Sequence, residues 1–205
     1  MASNPPETQE LLKQVGQGKA DAVEQLLAKQ REPLRRMIDL RLDRRVSARL
    51  DASDVVQEVL LEASRRLRDY LQNPAMPFHL WLRHITEDHI IDAHRRHHQA
   101  QKRNVEREQP LVRPSLAGKS SVELAAQLLD HELTPASAAL HHELQQQLEA
   151  AVEALDEDDR DIILMRHFEQ LSNQEIADYL GLTEAAASMR YLRAIRKLKA
   201  GLAPG

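Results

Sequence analysis

Arg190, Arg193, Arg196, Lys197 and Lys199 recur along one side of the stretch Leu171 to Lys199, LSNQEIADYLGLTEAAASMRYLRAIRKLK. On a helix, cations spaced this way can sit on phosphates while residues earlier in the same helix reach base edges in the DNA major groove. Two other groups of side chains have the types for chemistry. Asp51, Asp54, Gln57 and Glu58 gather acids and an amide near one helix start, and His84, His89, His94, His97 and His98 crowd a single segment. Paired carboxylates at this spacing, without a pocket or companion base, are poor grounds for acid/base catalysis, and helix propensity explains several of them. His94 with His97 or His98 has a helical spacing compatible with a shared metal ion. No thiolate or obvious carboxylate completes a closed site, so neither metal nor cofactor is expected. The histidines can instead hydrogen-bond phosphates or line a wet helix face.

The elements that would aim the C-terminal cations are legible from local signals. Ser172 followed three residues later by Glu175 is a capping box that starts a short helix with Ile176, Ala177 and Leu180 on one face. Gly181 can adopt the left-handed conformation that ends this helix, and Thr183 can cap a second one. Small Ala177 permits close approach, and Ala187, Tyr191, Ala194, Ile195 and Leu198 provide the second helix with an inward face. The stretch reads as helix, turn, helix; an amphipathic hairpin packed on some other element is the alternative.

Composition bounds the rest. At 205 residues the chain can bury one sizeable core or two small ones. Aromatic content is only 3%, and Leu, Ala, Arg, Glu and Gln are abundant, so an all-α protein is expected. With no cysteine, disulfides and thiolate metal sites are excluded, and a reducing compartment is natural. No apolar run approaches bilayer length and MASNPPETQE lacks a signal-peptide core, so the expectation is a cytoplasmic protein without membrane insertion. A formal net charge of -4 argues against indiscriminate coating of nucleic acid and suits a protein that needs a partner before it engages DNA.

In chain order, Thr8 is expected to cap a helix through Val15 that Gly16 and Gly18 end, and a second helix begins near Lys19. Pro33 breaks or restarts the helix, after which Leu34, Ile38 and Leu42 share a face among many arginines that read as a solvated surface. Asp51 or Ser53 caps the next helix, with Val55, Val59, Leu60 and Leu67 toward a core. Asn73-Pro74 and Met76-Pro77 mark a turn before a helix from Phe78. On it Trp81, Ile85 and His89 share one face, with Phe78, Leu82, Ile90 and Ala93 beside it, and the other side carries Arg83, Asp88, Asp92, Arg95, Arg96, Lys102 and Arg103. Composition favours Trp81 as core, although aromatics interleaved with cations can also hold unstacked bases. The pattern loosens after Gln109, with at most one helix over residues 122–129. Thr134-Pro135 then restarts a helix with Leu140, Leu144, Leu148 and Val152 as its seam. Asp156 caps another over residues 157–168, with Ile162, Ile163, Met165 and Phe168 under the helix-turn-helix, making a compact four-helix unit. The expected plan is two small helical domains, residues 1–106 and 135–205, joined by a flexible linker at 107–134.

Three patterns in order, DASDVVQEV at 51–59, Trp81-Leu82 with Ile85, Asp92 and Arg95, and LDEDDRDIILMRHFEQLSNQEIADYLGLTEAAASMRYLRAIRKL at 155–198, resemble the extracytoplasmic-function group of bacterial RNA polymerase sigma factors. The resemblance implies that Asp51, Asp54, Val55, Gln57 and Glu58 dock on core polymerase. It implies that the helix bearing Trp81, Arg83, Asp88, Asp92, Arg95, Arg96 and Arg103 recognises and helps melt the minus-10 element, capturing a flipped base. It further implies that Thr183, Glu184, Ala186, Ser188, Met189, Arg190, Arg193 and Lys197 read the minus-35 element as duplex.

The chain departs from that family at two places. Asp88 stands where asparagine is common, and a carboxylate accepts from a cytosine amino group but repels phosphate. In the second helix of the motif a Thr-Val-Lys-Ser run becomes Ala186, Ala187, Ser188 and Met189, which shifts recognition from hydrogen bonds toward Arg190, Arg193, van der Waals contact and DNA shape. The expected function is a non-enzymatic initiation factor whose partners are core polymerase, promoter DNA and an anti-sigma protein. The rivals are a helix-turn-helix regulator that replaces no sigma factor, and a metal enzyme built on the histidines.

Overall fold

The protein is described by a computed structural model at residues 4–42, 46, 50–103, 124, 128 and 138–202, with backbone alone at 20, 97–103, 138–141 and 144. Every regular element among these residues is helical. The chain divides into two compact units, Met1–Pro114 and Ser115–Gly205.

The first unit contains α1 (Pro6–Gly16), α2 (Ala20–Ala28), α3 (Arg31–Arg41), α4 (Ala52–Gln72) and α5 (Phe78–Arg103). Helix α1 starts two residues before Thr8, because Pro6 in the first turn has its φ already set for a helix and no N–H left to satisfy. Gly18, at φ 81°, then turns the chain into α2. Pro33 falls in the first turn of α3, the place where a helix tolerates proline, so it restarts rather than breaks the helix. Asp51 settles the choice of cap for α4: its carboxylate accepts from Ser53 N at 2.8 Å, and that hydrogen bond holds its pKa below the usual carboxylate value. One apolar core joins Leu11, Leu26, Ile38, Val59, Phe78 and Leu82, one or more from each of these helices. The arginine-rich surface of α3 does carry a local ion pair, Arg35 to Asp39 at 3.9 Å.

The start of α5 is fixed from a distance. Phe78 N donates to Asn4 Oδ1 at 2.6 Å, and Gln9 Nε2 donates to the Asn4 carbonyl at 2.7 Å. Tyr70, Phe78 and Trp81 pack with ring centroids 4.8 to 5.6 Å apart, and Tyr70 OH donates to the Met76 carbonyl across the intervening turn.

The second unit contains α6 (Ala138–Glu153), α7 (Glu157–Ile163), α8 (Asn173–Leu180) and α9 (Glu184–Leu202). The expected Thr134-Pro135 start and the seam residues Leu140 and Leu144 lie outside the described residues or side chains, while Leu148 and Val152 are buried. Within the expected linker, Leu124 and Leu128 are described, helical and buried. Asp156 caps α7 by accepting from Asp159 N at 3.0 Å. The single helix expected over 157–168 instead widens into a π turn at Leu164–Phe168, closed by Arg166 Nη1 donating to the Leu171 carbonyl at 2.8 Å. Near the chain's end, a Cβ placed on Gly201 would lie 3.6 Å from Ala151 Cβ, so α9 passes close over α6 there.

Candidate nucleic-acid interface

Local chemistry builds the α8–α9 corner. Ser172 Oγ accepts from Glu175 N at 3.2 Å while Ser172 N donates to Glu175 Oε2 at 2.7 Å, the reciprocal pair of a capping box. Gly181, at φ 64° and ψ 31°, ends α8 in the left-handed conformation, and Leu182 N donates to the Ala177 carbonyl at 2.9 Å. Thr183 Oγ1 accepts from Ala186 N at 3.2 Å and caps α9. Ala177 and Ala187 are each 1% exposed, so small side chains line the contact between the helices. Asn173 Nδ2 ties them together by donating to Ser188 Oγ at 3.0 Å. Thr183 and Ser188, both expected to meet DNA, therefore already use hydroxyl capacity within the fold.

The solvent side of α9 carries Glu184, Ala185, Ala186, Met189, Leu192, Arg193 and Arg196, all exposed. Its cations are not equivalent. Arg190 is half-buried, with Nη1 3.6 Å from Asp158 Oδ2. Lys197 Nζ lies 2.6 Å from Asp156 Oδ2 and 2.5 Å from Asp159 Oδ2, so the structure turns this expected DNA contact toward the start of α7. The hydrogen bond to Lys197 depresses the Asp156 pKa, and those to Asp156 and Asp159 raise that of Lys197. Between α7 and α9 runs a groove of about 550 Å³ walled by Asp156, Asp158, Met189, Arg190 and Arg193. On the inward side His167 Nε2 and Tyr191 OH share a hydrogen bond at 2.9 Å; burial, with Arg166 adding to it, lowers the His167 pKa.

In the first unit, Asp54, Gln57 and Glu58 stand exposed along α4, and Leu61, which sequence reading passed over, continues their stripe at 55% exposure. Val55 does not belong with them. It is 1% exposed, because one residue of helix rotates it from the Asp54 face into the core, which corrects the surface placement that its expected polymerase contact supposes.

Helix α5 needs a similar correction. Arg83, expected on the polar side, is 3% exposed, and its Nη1 lies 3.7 Å from Glu87 Oε2 one turn on. Helical register puts it opposite Asp88, and its long apolar stem suits the interior when a carboxylate meets the head. Trp81 is only partly buried and falls in register with Asp88, Asp92 and Arg95, at the border between core and solvent. Asp92 and Arg95 pair at 3.5 Å, and Arg96 Nη2 reaches Glu58 Oε2 at 3.3 Å. Glu58 also lies 3.5 Å from His89 Nδ1, which joins an expected polymerase contact to the helix expected to meet opened DNA. Burial lowers the His84 pKa. The side chains of Arg103, His97 and His98 lie outside the described residues. Among the described residues no histidine and carboxylate group is arranged to hold a metal ion, and no helix is long and apolar enough to cross a membrane.

Exposed Leu192 and Ala185 and the Arg190–Asp158 pair were absent from the sequence expectation. The first two could have been found by projecting α9 as a helix, which places them beside Met189; the third joins residues too far apart in sequence to signal.

The family description for sigma-70 region 2 matches residues 32–100, and that for sigma-70 region 4 matches residues 145–198. A Xanthomonas campestris pv. campestris protein described as "Probable RNA polymerase sigma factor RfaY" is 33% identical over 157 residues, 77% of this chain. The chain spans about a third of the length of that relative, 34%. A chain from the structure of CnrH in complex with the cytosolic domain of CnrY is 23% identical, with a TM-score of 0.59 over 94% of this chain and 95% of that one, a likeness of fold. A chain from the RsbN–BldN complex is 20% identical over 91% of this chain and 96% of its own, with a TM-score of 0.34.

Proposed function

Because the chain belongs to the sigma-70 family of RNA polymerase sigma factors, in the extracytoplasmic-function group that its motifs resemble, we propose that it binds core polymerase and directs promoter recognition and melting. The observation that carries this reading is the presence, in one chain and in order, of region 2 and region 4 with a capped helix-turn-helix in the latter. The protein supplies binding energy for opened promoter DNA in the cytoplasm, and polymerase performs the phosphodiester chemistry.

Residues 1–106 form the core-binding and minus-10 domain, 107–134 the linker and 135–205 the minus-35 domain. Asp54, Gln57 and Glu58 meet the polymerase from the exposed side of α4. Trp81, Asp88, Asp92 and Arg95 form the border of α5 that meets the opened strand, where an aromatic ring can stack on an unpaired base and Arg95 can meet phosphate. Helix α9 enters the duplex major groove with Ala186, Met189 and Arg193 foremost, and Arg190 stands to the side where Asp158 holds it. An anti-sigma protein is a further proposed partner; the CnrH fold, which this chain shares, is captured in complex with the cytosolic domain of CnrY.

Pull-down with core polymerase followed by run-off transcription tests the reading. The expected result is that core enzyme becomes promoter-specific, whereas a regulator that replaces no sigma factor would leave it nonspecific. Substituting Asp54 and Gln57 should impair polymerase capture. Removing Arg193 should weaken promoter binding by roughly 1 to 3 kcal/mol; unchanged affinity would mean that α9 is not the reading helix.

A further inference from the structure

The reading face of α9 is apolar along its first turns, and we infer that Met189 and Leu192 select thymine in the upstream promoter element by van der Waals contact with its C5 methyl group. The inference rests on the duplex-reading role proposed for α9 and adds the chemistry of the base it selects.

At helical spacing Ala185, Met189, Leu192 and Arg196 fall within an arc of about 60°, facing away from buried Ala187, Ala194 and Leu198. Met189 and Leu192 are 56% and 44% exposed, the large apolar side chains that this unit leaves exposed among its described residues. A helix that only packed inward would set polar groups there. Arg193 and Arg196 border the strip with positive charge, the complement of a phosphate backbone. Arg190 is drawn toward Asp158 and does not cover it.

Ala185, Met189 and Leu192 bring no side-chain donor to the groove and no acceptor stronger than the weak thioether sulfur of Met189. Base pairs there display hydrogen-bonding groups and one prominent apolar group, the thymine methyl, and an apolar strip can discriminate in favour of that group alone. Leu192 thus joins Met189 as a specificity-determining residue.

The test uses holoenzyme reconstituted from the full chain and core polymerase, with promoters it selects from random duplexes. Thymines of the upstream element are replaced one at a time by deoxyuridine, which removes the methyl and leaves every hydrogen-bonding edge intact. Wild-type affinity should fall about fourfold at one or more positions, the fold-change that about 0.8 kcal/mol for a buried methyl-sized group corresponds to. Met189→Ala and Leu192→Ala should each bind the thymine and deoxyuridine versions equally at the position that residue reads. Their melting temperatures should match wild type, since both side chains are exposed. Equal wild-type affinity for thymine and deoxyuridine throughout, or undiminished discrimination in both variants, overturns the inference and leaves the strip as a protein-docking face. Failure of the wild-type holoenzyme to select any sequence overturns the function on which the inference rests, and the inference with it.

Discussion

Replacing Lys197 by glutamine should leave the salt dependence of promoter binding unchanged, although Lys197 lies on the helix proposed to enter the groove. Each cation that neutralises a phosphate steepens the fall of log K with log salt by about 0.9, so loss of one such contact changes the affinity ratio between about 50 and 200 mM salt roughly 3.5-fold. Lys197 does not qualify, because Asp156 and Asp159 hold its Nζ at 2.6 and 2.5 Å. Swinging it to a phosphate would abandon the Asp159 carboxylate, whose side chain is 4% exposed. Arg193 is exposed and held by no carboxylate among the described residues, so Arg193→Gln should flatten the slope by the full increment. The assay is fluorescence anisotropy of a labelled promoter fragment titrated with holoenzyme over a salt series. Core polymerase contributes equally to every variant, so the difference in slope reports the substituted side chain. A Lys197→Gln slope as shallow as that of Arg193→Gln would refute the argument, for Lys197 would then be leaving its carboxylates to meet DNA.

Other outcomes follow from the corner and its support. Ser172→Ala removes the hydroxyl that accepts from Glu175 N, and should cost about 1 kcal/mol, lowering the second unit's thermal transition by a few degrees. Gly181→Ala should cost about 1 kcal/mol by strain alone, since φ is 64° and an added Cβ meets nothing within 4 Å; Gly181→Asn should recover much of it in the same melting experiment. Burial depresses the His167 pKa, so the unfolded chain binds the extra proton first. Stability should therefore be fully present above about pH 6.5 and decline as pH falls below it toward the folded-state value. Melting curves of wild type should show this decline and those of His167→Gln should show less of it; identical pH dependence would contradict the assignment.

Features written in neighbouring residues were legible in the sequence, and features made by distant residues were not. Ser172 with Glu175, Gly181 and Thr183 announce the corner because caps and left-handed turns are settled within a few residues. The same local logic misled at Thr8, where Pro6 supplied a stronger start, and at Val55, where a motif read as a string mixes two faces of one helix. Arg83 was misplaced because charge alone suggests solvent, whereas its burial depends on the packing of the whole first unit. Lys197 and Arg190 find their carboxylates in α7, more than thirty residues upstream, and no periodicity reveals that meeting. The π turn at Leu164–Phe168 is likewise silent, since its residues would also suit an ordinary helix.

The hydrogen bond from Phe78 N to Asn4 Oδ1 has a consequence for the order in which the first unit assembles. It spans 74 residues, so the opening turn of α5 cannot be completed by local folding alone. During synthesis Asn4 leaves the ribosome long before Phe78 and must wait for it. The helix proposed to hold opened DNA is thus the last of the unit's described helices to emerge, and it arrives to find its fastening already made.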